Sequence, residues 1–139
     1  MRYAVCSDEP YPVNETVARE LERRGHSVVR FGSLQSASEA PWAETTLRAA
    51  EAVASGACDE GVFFCWTGTG ASIAANKVRG VRAVAPLTEE AAQHSREHND
   101  AYVLGLSGDW LDEVAVKLIV QRWLTTPFSK ADRHQRRLD

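Results

Sequence analysis

The run Gly61-Val62-Phe63-Phe64-Cys65 constrains the fold more than any other stretch. It is apolar throughout, without the alternation of a strand that has one wet face, so it reads as a strand covered on both sides. Strands of that kind sit in parallel sheets with helices packed on each face. The flanking sequence fits this. Tyr3-Ala4-Val5-Cys6 is a short buried-type strand ended by Ser7-Asp8-Glu9-Pro10, and a helix follows over about Val13 to Arg24, with Gly25 as its stop. Ser27 to Phe31 is a second strand, Gly32 to Ala40 a Ser-rich loop, and Pro41 opens a helix running to Ser55.

Beyond the central strand, further strands fall at Val81 to Ala85 and Ala101 to Leu104, with a last long helix over about Leu111 to Leu124. The alternation predicts a Rossmann-like α/β fold: one domain over 1–139, with about five parallel strands between two helical layers. Ligands in such sheets bind beyond the carboxyl ends of the strands. Cys6 to Glu9, Cys65 to Gly70 and the segment after the fourth strand all fall there.

At that edge Cys65-Trp66-Thr67-Gly68-Thr69-Gly70 joins strand to helix. Successive backbone N–H groups in such a turn converge on an anion at the helix N-terminus. The spacing is neither G-x-G-x-x-G nor a P-loop. A bare Gly-Thr-Gly is also what a tight turn needs, and a strand-end cysteine is as often an inert core thiol as a base or nucleophile. His98, in the polar run Ser95 to Asp100, is equally balanced between surface and site.

Net charge is −3, which gives no overall support to nucleic-acid or anionic-membrane binding. The last segment is the exception: Lys130, Arg133, His134, Arg136 and Arg137 face only Asp132. It reads as a solvated tail or as a cationic arm for an anionic ligand, on a neighbouring subunit if it reaches one. The start is too short and polar for a signal peptide and no run approaches membrane-span length. Three cysteines, with no C-x-x-C and one left over from any pairing, argue against a disulfide framework or a zinc site. The expectation is a cytoplasmic protein with reduced thiols.

Three motifs occur in order: CWTGTGASIAANKVRGVRA, REHNDAYVL and RHQRR. Together they resemble the ribose-5-phosphate isomerase B / galactose-6-phosphate isomerase family over nearly the whole chain, as a divergent member. The resemblance implies a homodimer, or a dimer of dimers, whose active sites are built from both subunits. It also implies aldose–ketose isomerisation of a sugar phosphate through a cis-enediolate, with no metal and no organic cofactor. Matched residue by residue, Cys65 is implied as the proton-transfer base, and Thr67 and His98 as the pair that opens the sugar ring. The backbone around Thr67, Gly68, Thr69, Gly70 and Ser72 is implied as the anion hole. Asp8 and Asn99 are implied to contact sugar oxygens, and Arg133, His134 and Arg137 to bind phosphate from a tail that crosses the dimer.

Four departures bear on the substrate. The family's Asp-His after the first strand is Asp8-Glu9, and the glycine after the cysteine is Trp66. Asp-Tyr-Pro is replaced by Glu39-Ala40-Pro41, and Leu-Gly-Gly-Arg by Leu106-Ser107-Gly108-Asp109. Two expected phosphate contacts are thus carboxylates, and a carboxylate ~5 Å from a phosphate costs on the order of a few kcal/mol. If both point into the site, the substrate is a sugar other than ribose 5-phosphate, and Trp66 argues the same way if its ring fills the pocket. If both swing to solvent, Arg133 and Arg137 hold the phosphate alone. Two other functions are weighed: a non-catalytic or hetero-oligomeric sugar-phosphate-binding subunit of the family, and a nucleotide-binding module. The retained Cys65 opposes the first; the missing third glycine and the missing acid after strand two oppose the second.

Overall fold

The structure, a computed structural model, describes residues 1–139. Five strands form one parallel sheet: β1 (Arg2–Ser7), β2 (Ser27–Gly32), β3 (Glu60–Cys65), β4 (Ala83–Val84) and β5 (Val103–Ser107). Their order is β2-β1-β3-β5-β4. All pairings are parallel, and β3 lies between β1 and β5, with Tyr3 opposite Glu60 and Cys65 opposite Ser107. Every residue of β3 and of β5 is buried. The uniformly apolar run therefore does occupy the centre of a sheet covered on both faces.

Alternation along the strands divides the core in two. Tyr3, Val5, Val62, Phe64, Leu104 and Leu106 point to one face. There they meet α1 (Pro12–Arg23), α5 (Glu89–Asn99) and α6 (Glu113–Thr125). Ala4, Cys6, Phe63, Cys65 and Val103 point to the other, against α3 (Trp42–Ala54) and α4 (Thr69–Asn76). The side chains on that second face are small, Ala49, Ala50, Ala71 and Ala75, so the helices approach closely. Gly105 completes this: a Cβ there would lie 2.6 Å from the Gly68 carbonyl oxygen.

Several boundaries differ from expectation. The Ser-rich loop contains a helical turn, α2 (Ser33–Ser36), which follows Gly32 in the left-handed region at φ 65. The fourth strand shrinks to two residues, and the fifth starts two residues later than its apolar run. A single turn, α7 (Asp132–Gln135), orders part of the basic tail.

At the amino end of β3, Glu60 is buried and bridges three elements. Its carboxylate pairs with Arg96 of α5 at 2.5 Å and accepts the Tyr3 hydroxyl at 2.7 Å. Arg96 also donates to the Ala101 carbonyl at 2.8 Å and lies 4.1 Å over the Trp123 ring of α6. Truncating one partner strands a buried charge, which costs about 3–5 kcal/mol. Arg96→Ala is therefore expected to lower unfolding free energy by that amount in urea titration. A loss below about 1 kcal/mol, the exposed-pair range, would contradict the assignment.

Candidate active site

Strand order reverses direction between β1 and β3, opening a crevice beyond their carboxyl ends. Asp8 and Glu9 follow β1 there, Cys65 ends β3, and Asp109 follows β5. Cys65 is 6% exposed, and its Sγ accepts the Gly68 N–H at 3.2 Å. The sulfur at the mouth of the turn thus has a backbone donor. Burial, by contrast, pushes the Cys6 and Cys58 thiols up, so both remain neutral core groups.

Gly68 caps α4 at φ 81, and a Cβ there would sit 2.9 Å from the Leu106 carbonyl carbon. Only glycine suits both demands. The donors in the turn are partly committed. Thr69 N–H reaches the Thr67 hydroxyl at 3.3 Å, that hydroxyl meets the Thr69 hydroxyl at 2.7 Å, and Ser72 N–H reaches the Gly68 carbonyl at 3.1 Å. Ser72 N–H is thus unavailable to an anion. Gly70 and Ala71 N–H have no partner within the chain and stand at the positive end of α4.

The turn after β1 is pinned through one atom. The Glu9 carbonyl oxygen accepts from Ser7 Oγ and Ser33 Oγ, both at 2.7 Å, from Asn14 Nδ2 at 2.8 Å, and from Tyr11 N–H at 2.9 Å. Loss of water, and then the carboxylates of Asp8, Glu39 and Asp109, raise the Glu9 pKa. The four acids therefore share one electrostatic neighbourhood at this edge. Tyr11 lies at the same edge, and the sequence motifs leave it out. Its ring packs where a Gly108 side chain would stand, and its hydroxyl is buried without a hydrogen-bond partner. Burial first, and then Asp8, raise its pKa, with Glu9 and Cys65 adding to the effect. The Trp66 indole is 54% exposed, so within one chain it points outward.

His98 lies elsewhere. Helix α5 runs back against the sheet and ends before β5 begins, placing His98 and Asn99 at the amino edge. Four residue steps along β5, about 13 Å, separate that edge from the level of Cys65. Thr67 and His98 are therefore not brought together within one chain. The tail joins His98 instead: the His134 ring lies 4.6 Å from that of His98, its Nδ1 is 2.5 Å from Ser129 Oγ, and Ser129 N–H reaches the Glu97 carbonyl. Burial first, and then Arg133, His98 and Arg137, press the His134 pKa down. Arg133 and Arg137 are exposed beside it. His94, stacked on His98 at 5.1 Å, extends the cluster.

A family model described as Ribose/Galactose Isomerase matches residues 3–139. The chain belongs to this family. It is 33% identical to ribose-5-phosphate isomerase B of Mycolicibacterium paratuberculosis, over all of this chain and 88% of the relative. Among solved structures it resembles the Clostridium thermocellum ribose-5-phosphate isomerase B, with TM-score 0.92 and 38% identity over 99% of this chain and 93% of that one. The Mycoplasma genitalium enzyme with bound ribulose-5-phosphate gives TM-score 0.91 and 30% identity over 99% and 91% of the two chains.

The turn's demand for glycine is testable against a glycine without close neighbours. Gly80 has φ 92, and nothing lies within 4 Å of where a Cβ would stand. Gly80→Ala should cost about 1–2 kcal/mol, the left-handed strain alone. Gly68→Ala should cost more, since the clash adds to that strain, and equal losses in denaturation would contradict the packing described.

Proposed function

We propose that the protein is an aldose–ketose isomerase that carries a proton between C2 and C1 of an opened sugar through a cis-enediolate. The observation that carries this reading is the Cys65 sulfur under the Gly68 N–H, beside the two unengaged N–H groups of Gly70 and Ala71. A proton next to a carbonyl is weakly acidic, so its removal needs a base at the carbon and donors at the oxygen that gains charge. The Cys65 thiolate takes the C2 proton, and the C–H electrons form the C1–C2 double bond as charge moves to O1. The O2 proton passes to O1, and the thiol returns its proton to C1 as the C1–C2 electrons form that C–H bond and O2 becomes the ketone oxygen. The step uses protein groups alone.

Ring opening is assigned to Thr67 and His98, with His98 supplied by a second copy. Asn99, Arg133, His134 and Arg137 come with it, because they share the amino edge with His98. Asp8 contacts sugar oxygens from the carboxyl edge. The working unit is a homodimer in which each copy gives one edge to each of two sites, an isologous arrangement. The relatives' names make ribose 5-phosphate and ribulose 5-phosphate the default pair. Glu9, Trp66 and Asp109, with Ala40 where the family has tyrosine, favour a different sugar. We place the protein in the cytoplasm: its three cysteines are free, and no helix is long and apolar enough to cross a membrane.

Proton exchange at C2 in deuterium oxide, followed over a panel of aldoses, ketoses and their phosphates, tests the chemistry. Cys65→Ala should abolish exchange; full exchange in that variant, or none with wild type on any sugar, overturns the reading. Mixing inactive Cys65→Ala with inactive His98→Ala tests the shared site. Random reassortment leaves half the dimers with one intact site, so activity should return to about a quarter of wild type. With wild type, kcat/KM should rise with pH through a single ionisation of the free enzyme.

A further inference from the structure

Two unpaired charge clusters stand at opposite edges of the sheet. At the carboxyl edge Asp8, Glu9, Glu39 and Asp109 make no salt bridge, and at the amino edge neither do Lys130, Arg133, Arg136 and Arg137. The acidic side is built rather than incidental. The turn bearing Asp8 and Glu9 is fixed by four hydrogen bonds to the Glu9 carbonyl. The segment after Glu39 is tied to it by Ala40 N–H on the Asp8 carbonyl at 2.8 Å. Asp109 is tied to the Cys65 turn: Gly108 N–H reaches the Cys65 carbonyl at 2.9 Å and Asp109 N–H the Trp66 carbonyl at 3.3 Å.

A second observation points to a neutral ligand at this edge. The Tyr11 hydroxyl, on a residue 9% exposed, lies against the Asp8 carboxylate, and neither it nor Asp8 Oδ1 has a well-aligned hydrogen-bond partner. The carboxylate only accepts, so it meets a sugar hydroxyl, which can donate, better than a phosphate, which at neutral pH mostly accepts, while the Tyr11 hydroxyl serves either. Trp42, packed against Gly70, and Trp66, next to Cys65, add exposed indole faces beside the same turn. Such faces suit the C–H surface of a sugar and give a dianion nothing.

We propose that Glu9 and Asp109 occupy the electrostatic place of a substrate phosphate, pairing with Arg133 and Arg137 of a second copy, so that the site takes a small unphosphorylated aldose or ketose. The proposal rests on the isomerase reading and on its shared site. Two carboxylates supply the formal −2 that a phosphate monoester dianion brings, so the arginines are matched before any substrate arrives. A phosphorylated sugar then enters a site already neutralised, against the field of Asp8 and Glu39. A free sugar displaces no ion pair and finds Asp8 and Tyr11 for its hydroxyls.

The test uses the full-length dimer. Wild type should isomerise free tetroses or pentoses with kcat/KM about tenfold or more above that for the matching terminal phosphates. Inorganic phosphate, titrated to about 10 mM by calorimetry, should show no saturable binding. Glu9→Gln with Asp109→Asn frees the arginines, and the double variant should gain phosphate binding and lose the preference for free sugars. Glu9→Gln alone should move the same way, which covers poor folding of the double variant. Wild-type preference for phosphorylated sugars, or phosphate binding that the variants do not strengthen, overturns the proposal. If no sugar is turned over, the isomerase reading fails, and the phosphate titration still decides the charge pairing by itself.

Discussion

The buried pairing of Glu60 with Arg96 holds the two ends of this molecule in register. It joins the first residue of the central strand to the helix that carries His98, and Tyr3 and Trp123 close around it. A hydrophobic replacement of the whole group often matches such a pair in stability. What an apolar cluster does not reproduce is direction. The guanidinium fork fixes α5 about its own axis through Glu60 on one side and the Ala101 carbonyl on the other. That rotation decides whether His98 faces His134 or solvent.

Parallel topology then separates the chemistry. A helix that follows one parallel strand and precedes the next must return to the amino edge, so residues at its end are carried away from the strand-end crevice. Cys65, Thr67 and Asp8 stay at one edge; His98, Asn99 and the arginine tail collect at the other. In a chain of this length no loop spans the sheet to reunite them. In the shared site proposed above a second copy does so, and the opposite charges of the two edges favour that approach.

What the sequence reveals follows what is local. The central strand, the helix after Tyr11 and the glycine turn are each written in consecutive residues, and the structure places all three as read. The turn α2 is not, because its anchor, Ser33 Oγ on the Glu9 carbonyl, spans 24 residues. The start of β5 is missed because Ala101 to Leu106 is uniformly apolar, and only pairing with β3 selects Val103. His98 stays balanced in the sequence for the same reason: its place depends on the direction of α5, which periodicity does not encode. Ser72 looks like a donor until the helix claims its N–H. Tyr11 shows its role only through Gly108, 97 positions away in the chain.

The four hydrogen bonds on the Glu9 carbonyl have a consequence for how such a protein diversifies. They come from Ser7, Asn14, Ser33 and the Tyr11 backbone, and none involves the side chain at position 9. The peptide is clamped while the Cβ substituent is left unconstrained, like a fixed socket that accepts different tools. A single codon there can trade imidazole for carboxylate without redrawing the backbone around the reacting carbons. The side chain at position 9 and the path of the backbone that carries it are thereby heritable as separate traits within one loop.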